Sequence, residues 1–138
     1  MPRIMVEILE GRSPDQKRAL IKEISDAIVA AFKVPVQVVA VRVEDVKFTD
    51  LGNGNGNYLD FALYEGKAVY GGSGDPRITV FCTEGHSLEE KREAVKQISE
   101  KCVKILGVSL DEVKILINEA KKDQFAKGGK LLCDKSGN

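Results

Sequence analysis

A chain that repeats one pattern of strand, helix and strand has few ways to fold, and this chain does so. Laying Pro2 over Pro76, a shift of 74 residues, brings Pro2-Arg-Ile-Met-Val over Pro76-Arg-Ile-Thr-Val. The same shift lays Glu10-Gly-Arg-Ser13 over Glu84-Gly-His-Ser87, and Lys17-Arg18 over Lys91-Arg92. About 15 of about 44 ungapped positions are identical, well above chance. The chain is therefore a tandem duplication joined by a different middle segment. We expect a first repeat over 1–45, a Gly-rich linker with a hairpin over 46–75, and a second repeat over 76–138.

Each copy carries its own local signals. Ile4, Val6 and Ile8 alternate with Arg3, Met5 and Glu7, the period of a strand with one apolar face. Gly11 ends that strand. Ser13 is an N-cap, Pro14 takes the first helical position, and Gln16 completes a capping box. Leu20, Ile21, Ile24, Ala27, Ile28 and Ala31 form the helix stripe. Pro35 closes the helix region, and Val38 to Val43 read as the next strand. The second copy repeats this. Ile78, Val80 and Cys82 face one way, Ser87 and Glu90 form a capping box, and Val95, Ile98, Cys102 and Ile105 make the stripe. Val113 to Ile117 then read as a strand, apolar on both sides except at Lys114, which predicts burial on both faces.

Strand–helix–strand units pair their strands in parallel through a right-handed crossover. Two copies predict an α+β fold with a four-stranded mixed sheet and both helices on one face. The bare sheet face then needs cover, which oligomerisation through the sheets would supply. The middle segment predicts a loop at Gly52 to Asn57, a hairpin between Tyr58 and Tyr70 around Glu65-Gly66, and a hinge at Gly71 to Gly74.

Composition narrows the function classes. The 138 residues balance 21 Lys and Arg against 21 Asp and Glu, so no net field recruits nucleic acid or an anionic membrane. Signal and transmembrane patterns are not seen, and a cytoplasmic protein is expected. The three cysteines lack CxxC spacing and read as reduced thiols, with Cys82 and Cys102 in the core. Glycines at 52–57 lack the strand and helix context of a phosphate loop, and His86 lacks ligand partners. We expect neither metal nor cofactor.

Pro2 carries the chemistry. Removal of Met1 turns its ring nitrogen into a free secondary amine, which exchanges a proton near neutral pH. Burial and neighbouring cations favour its neutral form, that of a general base. Pro76 follows Asp75, so its nitrogen is a tertiary amide with no basic lone pair.

The Pro-initiated strand ending in Leu9-Glu-Gly-Arg-Ser13, the capped helix, the Pro35 region, and Phe125 within Gln124-Phe-Ala-Lys-Gly-Gly129 together resemble the 4-oxalocrotonate tautomerase family. The resemblance covers roughly 2–51 and again 76–130, that of a fused, two-copy member. It implies a homotrimer equivalent to a hexamer of single-copy subunits, with one amine per chain. It also implies a keto–enol tautomerase acting on small 2-hydroxydienoates or 2-oxo acids. Pro2 corresponds to the family's proline and Arg12 to a substrate-binding arginine. The family's strand arginine falls on Ala40. Arg42, two residues on, shares that strand face. Lys114 is the second-copy counterpart, His86 replaces Arg12 there, and Phe125 walls off water.

Relatives of similar length resemble hydratases, dehalogenases and decarboxylases. Those carry an Arg-x-x-Arg pair and a water-activating Glu; here the positions are Thr83, His86 and Lys127. A trimeric scaffold without activity is the remaining alternative.

Overall fold

The computed structural model describes residues 2–53, 56–57, 63–64, 67–68 and 75–135. Its main elements are β1 (Arg3–Leu9), α1 (Pro14–Phe32), β2 (Ala40–Val46), β3 (Arg77–Thr83), α2 (Leu88–Leu106) and β4 (Lys114–Ala120). The tail adds a small hairpin, β5 (Ala126–Lys127) with β6 (Lys130–Leu131). The four long strands form one mixed sheet in the order β2-β1-β3-β4. β1 runs parallel to β2, β3 parallel to β4, and β1 antiparallel to β3. This is the expected α+β architecture, two β-α-β repeats joined edge to edge.

The repeat survives atom by atom. Ser13 Oγ accepts from Gln16 N at 3.1 Å and Gln16 Oε1 accepts from Ser13 N at 2.9 Å; Ser87 and Glu90 do the same at the same distances. Lys17 pairs with Asp45 at 2.6 Å, and Lys91 with Glu119 at 2.5 Å. Each pair ties a helix to the partner strand of its own repeat.

Parity along the strands decides the core. Ile4, Val6 and Ile8 of β1 and Ile78, Val80 and Cys82 of β3 turn to the helices. There they meet Leu20, Ile24 and Ile28 of α1 and Ala94, Ile98 and Cys102 of α2 in one cluster. Burying an aliphatic side chain of this size contributes about 1.5–3 kcal/mol. The opposite sheet face carries Arg3, Met5 and Glu7, then Arg77, Thr79 and Phe81.

Five expectations need correction. Ile21 is 42% exposed, because it lies one residue off the centre of the stripe. On α2 Ala94 and Leu106 are buried beside Ile98 and Cys102, while the expected Val95 and Ile105 are only half-buried. The second strand begins at Ala40, since Val36–Val38 coil into a 3₁₀ turn after Pro35. β4 is covered on one face only within the chain, and its outer Leu116 is 53% exposed. In the linker, Gly52–Asn53 pair with Gly56–Asn57, where a loop was expected. Leu63–Tyr64 pair with Lys67–Ala68. The rest of the expected hairpin and the hinge at 71–74 lie outside the described residues. Among the described residues no helix is long and apolar enough to cross a membrane.

Two predictions follow from this packing. Ile98→Ala empties fully buried volume and loses about 2–5 kcal/mol in urea denaturation, whereas Ile21→Ala stays within about 0.5 kcal/mol. Burial pushes the Cys102 thiol up to about 12 and raises Cys82 as well. Cys133 is exposed. A disulfide reagent at mildly alkaline pH therefore titrates one thiol promptly, and the other two only in denaturant.

Candidate active site

The antiparallel register of β1 on β3 determines what surrounds Pro2. Arg3 lies opposite Phe81 and Glu7 opposite Arg77, with Met5 opposite Thr79 at the centre. Met5 and Thr79 are themselves related by the repeat shift, so the halves are related by a pseudo-twofold axis through this pair. Pro2 and Pro76 consequently stand at opposite ends of the sheet.

Pro2 is buried, and its carbonyl accepts a hydrogen bond from Ala40 N at 3.1 Å. Around it lies a depression of about 460 Å³. β1 supplies Pro2 and Arg3, the 3₁₀ turn supplies Gln37 and Val38, and Ala40 opens β2. The tail of the other repeat crosses over to contribute Phe125 and Lys127. A second hollow, of about 430 Å³, adjoins it; the two share Arg3 and Phe125, and Phe81 and Ala120 line the second. The Arg3 guanidinium lies over the Phe81 ring, 4.9 Å from its centre.

The expected site residues separate into two groups. Phe125 is brought to Pro2. Arg12, Lys114 and Arg42 do not line the Pro2 depression of their own chain. Lys114 sits beside Arg77, and Pro2 is roughly 17 Å from that level at about 3.4 Å per strand residue. The Lys114 ammonium donates to the Asp111 carbonyl at 2.7 Å. Arg42 does share the outer face with Ala40, yet its guanidinium pairs with Glu44 at 2.9 Å.

Arg12 departs furthest from expectation. The resemblance matches it to a substrate-binding arginine; here it is only 6% exposed and holds a carboxylate of its own chain. Its two terminal nitrogens donate to the two oxygens of Asp75, at 2.9 and 3.1 Å. Asp75 Oδ1 also accepts from Leu9 N at 3.0 Å, and Arg12 donates to Leu9 O at 3.2 Å. Asp75 enters just ahead of β3, opposite the end of β1, and Gly11 at φ 109° turns the chain so that Arg12 folds back to it. The position of Asp75 immediately before Pro76 was the sequence signal. It was read only for its effect on the proline nitrogen.

His86, the counterpart of Arg12, stacks on Phe32 with ring centres 4.0 Å apart and its Nδ1 3.6 Å from Glu90. Among the described residues no group of His, Cys, Asp and Glu is arranged to hold a metal. Arg3 and Lys127 were not put forward as binding residues from the sequence. Arg3 could have been found from its parity, since the residue after Pro2 must point to the open sheet face.

With this geometry in place, comparison with known proteins defines the class. The tautomerase enzyme family matches residues 2–55 and again 76–135. The chain belongs to the tautomerase family and is an isomerase of the 4-oxalocrotonate tautomerase type. A probable tautomerase of Listeria innocua is 43% identical over 54 residues, 39% of this chain and 88% of that protein. The 2-hydroxymuconate tautomerase of Bacillus subtilis is 36% identical over 59 residues, 43% of this chain and 95% of that protein. Each relative is thus the size of one repeat. Among solved structures, a fused 4-oxalocrotonate tautomerase, described as an asymmetric trimer, superposes with a TM-score of 0.78. It is 23% identical, over 95% of this chain and 96% of that one.

The Arg12–Asp75 pair predicts a specific stability pattern. Arg12→Met leaves a buried carboxylate uncompensated and loses about 3–5 kcal/mol in urea denaturation. Adding Asp75→Asn to it recovers part of that loss, because the amide oxygen still accepts from Leu9 N and no buried charge remains.

Proposed function

We propose that the chain tautomerises small 2-hydroxydienoate or 2-oxo acid substrates, with the free amine of Pro2 as the proton carrier. The observation that carries this reading is the buried Pro2 in a depression faced by Phe125 from the other repeat. After loss of Met1 the neutral amine takes the proton from the 2-hydroxyl of a dienol. It then returns one to a carbon of the conjugated chain, so no group other than the amine need store it. Phe125 helps keep water out, which strengthens every charge interaction inside the site. Cations beside the amine favour its neutral form, as a general base requires.

The hydratase and decarboxylase alternatives use a carboxylate to activate water. The described residues lining the depression include none. Pro76 is an amide, so the proposal has one active amine per chain. A homotrimer fits the half-exposed outer sheet face and the trimeric state of the similar fused protein. In such an assembly Lys114 and Arg42 serve, if at all, a neighbouring subunit's Pro2. Arg12, committed to Asp75, holds the fold.

Intact mass of untagged protein is expected to show Met1 removed. Pro2→Ala, correctly folded by circular dichroism, is expected to lose about 100-fold or more in kcat/KM, the usual scale of general acid–base catalysis. Wild-type kcat/KM falls as pH drops through the pKa of the amine, because protonation removes the base. An unchanged rate in folded Pro2→Ala would overturn the role of Pro2, whereas a wild type without activity would leave the scaffold alternative standing.

A further inference from the structure

The two ends of the sheet are related by the repeat but differ in how their cations are answered. At the Pro76 end Arg12 is locked to Asp75 and Lys114 donates to the Asp111 carbonyl, while Arg77 has Glu7 as its register neighbour without an ion pair between them. At the Pro2 end Arg3 faces Phe81 instead of a carboxylate and rests on its ring. Lys127 forms no ion pair among the described residues. The strand position that carries Lys114 at one end is Ala40 at the other, next to Pro2. The strand position beside Pro2 thus holds no cation, and the tail brings one, Lys127, to the depression.

The tail holds that cation in a defined place. Lys127 pairs with Lys130 and Ala126 with Leu131, across a turn in which Gly128 and Gly129 have φ of 63° and 82°. Positive φ at both central positions is the hairpin turn that suits strand twist. Leu132 N donates to the Phe125 carbonyl at 2.8 Å, and Cys133 N to the Lys122 carbonyl at 3.1 Å. Lys122 N in turn donates to Glu84 Oε1 at 3.2 Å, which fastens the tail to the end of β3. Phe125 and Lys127 therefore reach the depression on a hydrogen-bonded frame.

We propose that Lys127 is the group that binds the substrate carboxylate beside Pro2, in place of the strand cation lost at Ala40. The proposal rests on the reading of Pro2 given above. An ammonium is a compact point charge on a rotatable stem, suited to one carboxylate oxygen and not to a fixed bidentate grip. Arg3 is the other cation of the depression; its guanidinium lies on Phe81 and adds to the local positive field. The site thus selects small acids over their neutral analogues. The selection comes from the second repeat, which has no amine of its own.

The test compares alkylation of Pro2 by 3-bromopropiolate and by its neutral carboxamide, followed by peptide mass mapping. Wild-type protein is expected to favour the acid by about 10- to 100-fold, the worth of one charge-assisted hydrogen bond. Compared at a pH where the amine is neutral in every variant, Lys127→Met is expected to slow the acid far more than the carboxamide and so remove that preference, and Lys127→Arg to restore most of it. With a carboxylate substrate, Lys127→Met raises KM more than it lowers kcat. A preference for the acid that survives Lys127→Met within twofold overturns the assignment of Lys127 and leaves Pro2 intact. Failure of both reagents to modify Pro2 in the wild type overturns the reading of Pro2 itself.

Discussion

The antiparallel pairing of β1 with β3 is the constraint on which the rest of this structure depends. Its register puts Met5 opposite Thr79, and every other position is then set by the strand period. Each repeat alone would present a two-stranded parallel sheet with one helix, too small to close a core. Joined through β1 and β3, they pool Ile4, Val6 and Ile8 with Ile78, Val80 and Cys82 beneath both helices. A slip of one residue would turn the three core residues of one strand toward the open face while the other three stay beneath the helices. The same register sends the two prolines to opposite ends and brings the second repeat's tail across to the first repeat's proline. Fold and site share one cause.

The Arg12–Asp75 pair fixes the return of the linker into this register. Buried ion pairs are weak evidence for stability, because desolvation offsets most of their attraction. Here the pair also satisfies the backbone: Asp75 accepts from Leu9 N, and Arg12 donates to Leu9 O. The last residue of β1 thereby finds side-chain partners where the backbone ladder has run out, and the start of β3 is held opposite it. A carboxylate and a guanidinium at these positions specify where the linker ends, which a pair of apolar residues would not.

Much of the fold was legible because it depends on local chemistry repeated twice. Ser13 with Gln16 and Ser87 with Glu90 announce helix starts, and strict alternation at Ile4, Val6 and Ile8 announces a half-buried strand. What escaped depended on non-local packing. The 3₁₀ turn at Val36–Val38 uses residues of strand-like type, so the next strand began two residues late. Ile21 has the right spacing for the stripe but sits at its margin. The burial of Arg12 against Asp75 is not legible locally, because that partner is 63 positions away at the linker end of the sequence. The place of Phe125 beside Pro2 is legible only through resemblance, because no periodicity reveals that the tail crosses to the opposite repeat's proline.

Duplication followed by fusion leaves one chemical difference that sequence drift cannot undo. The second proline is an amide as long as any residue precedes it, so its end of the sheet has no base to serve. A cation there answers no reacting charge, and its desolvation is relieved only by a local partner. Asp75 and the Asp111 carbonyl are such partners. At the other end the free amine proposed for Pro2 would give Lys127 a use, because a substrate carboxylate would complete the pair. The distribution of answered and unanswered cations between the two ends then follows from where the one free nitrogen lies.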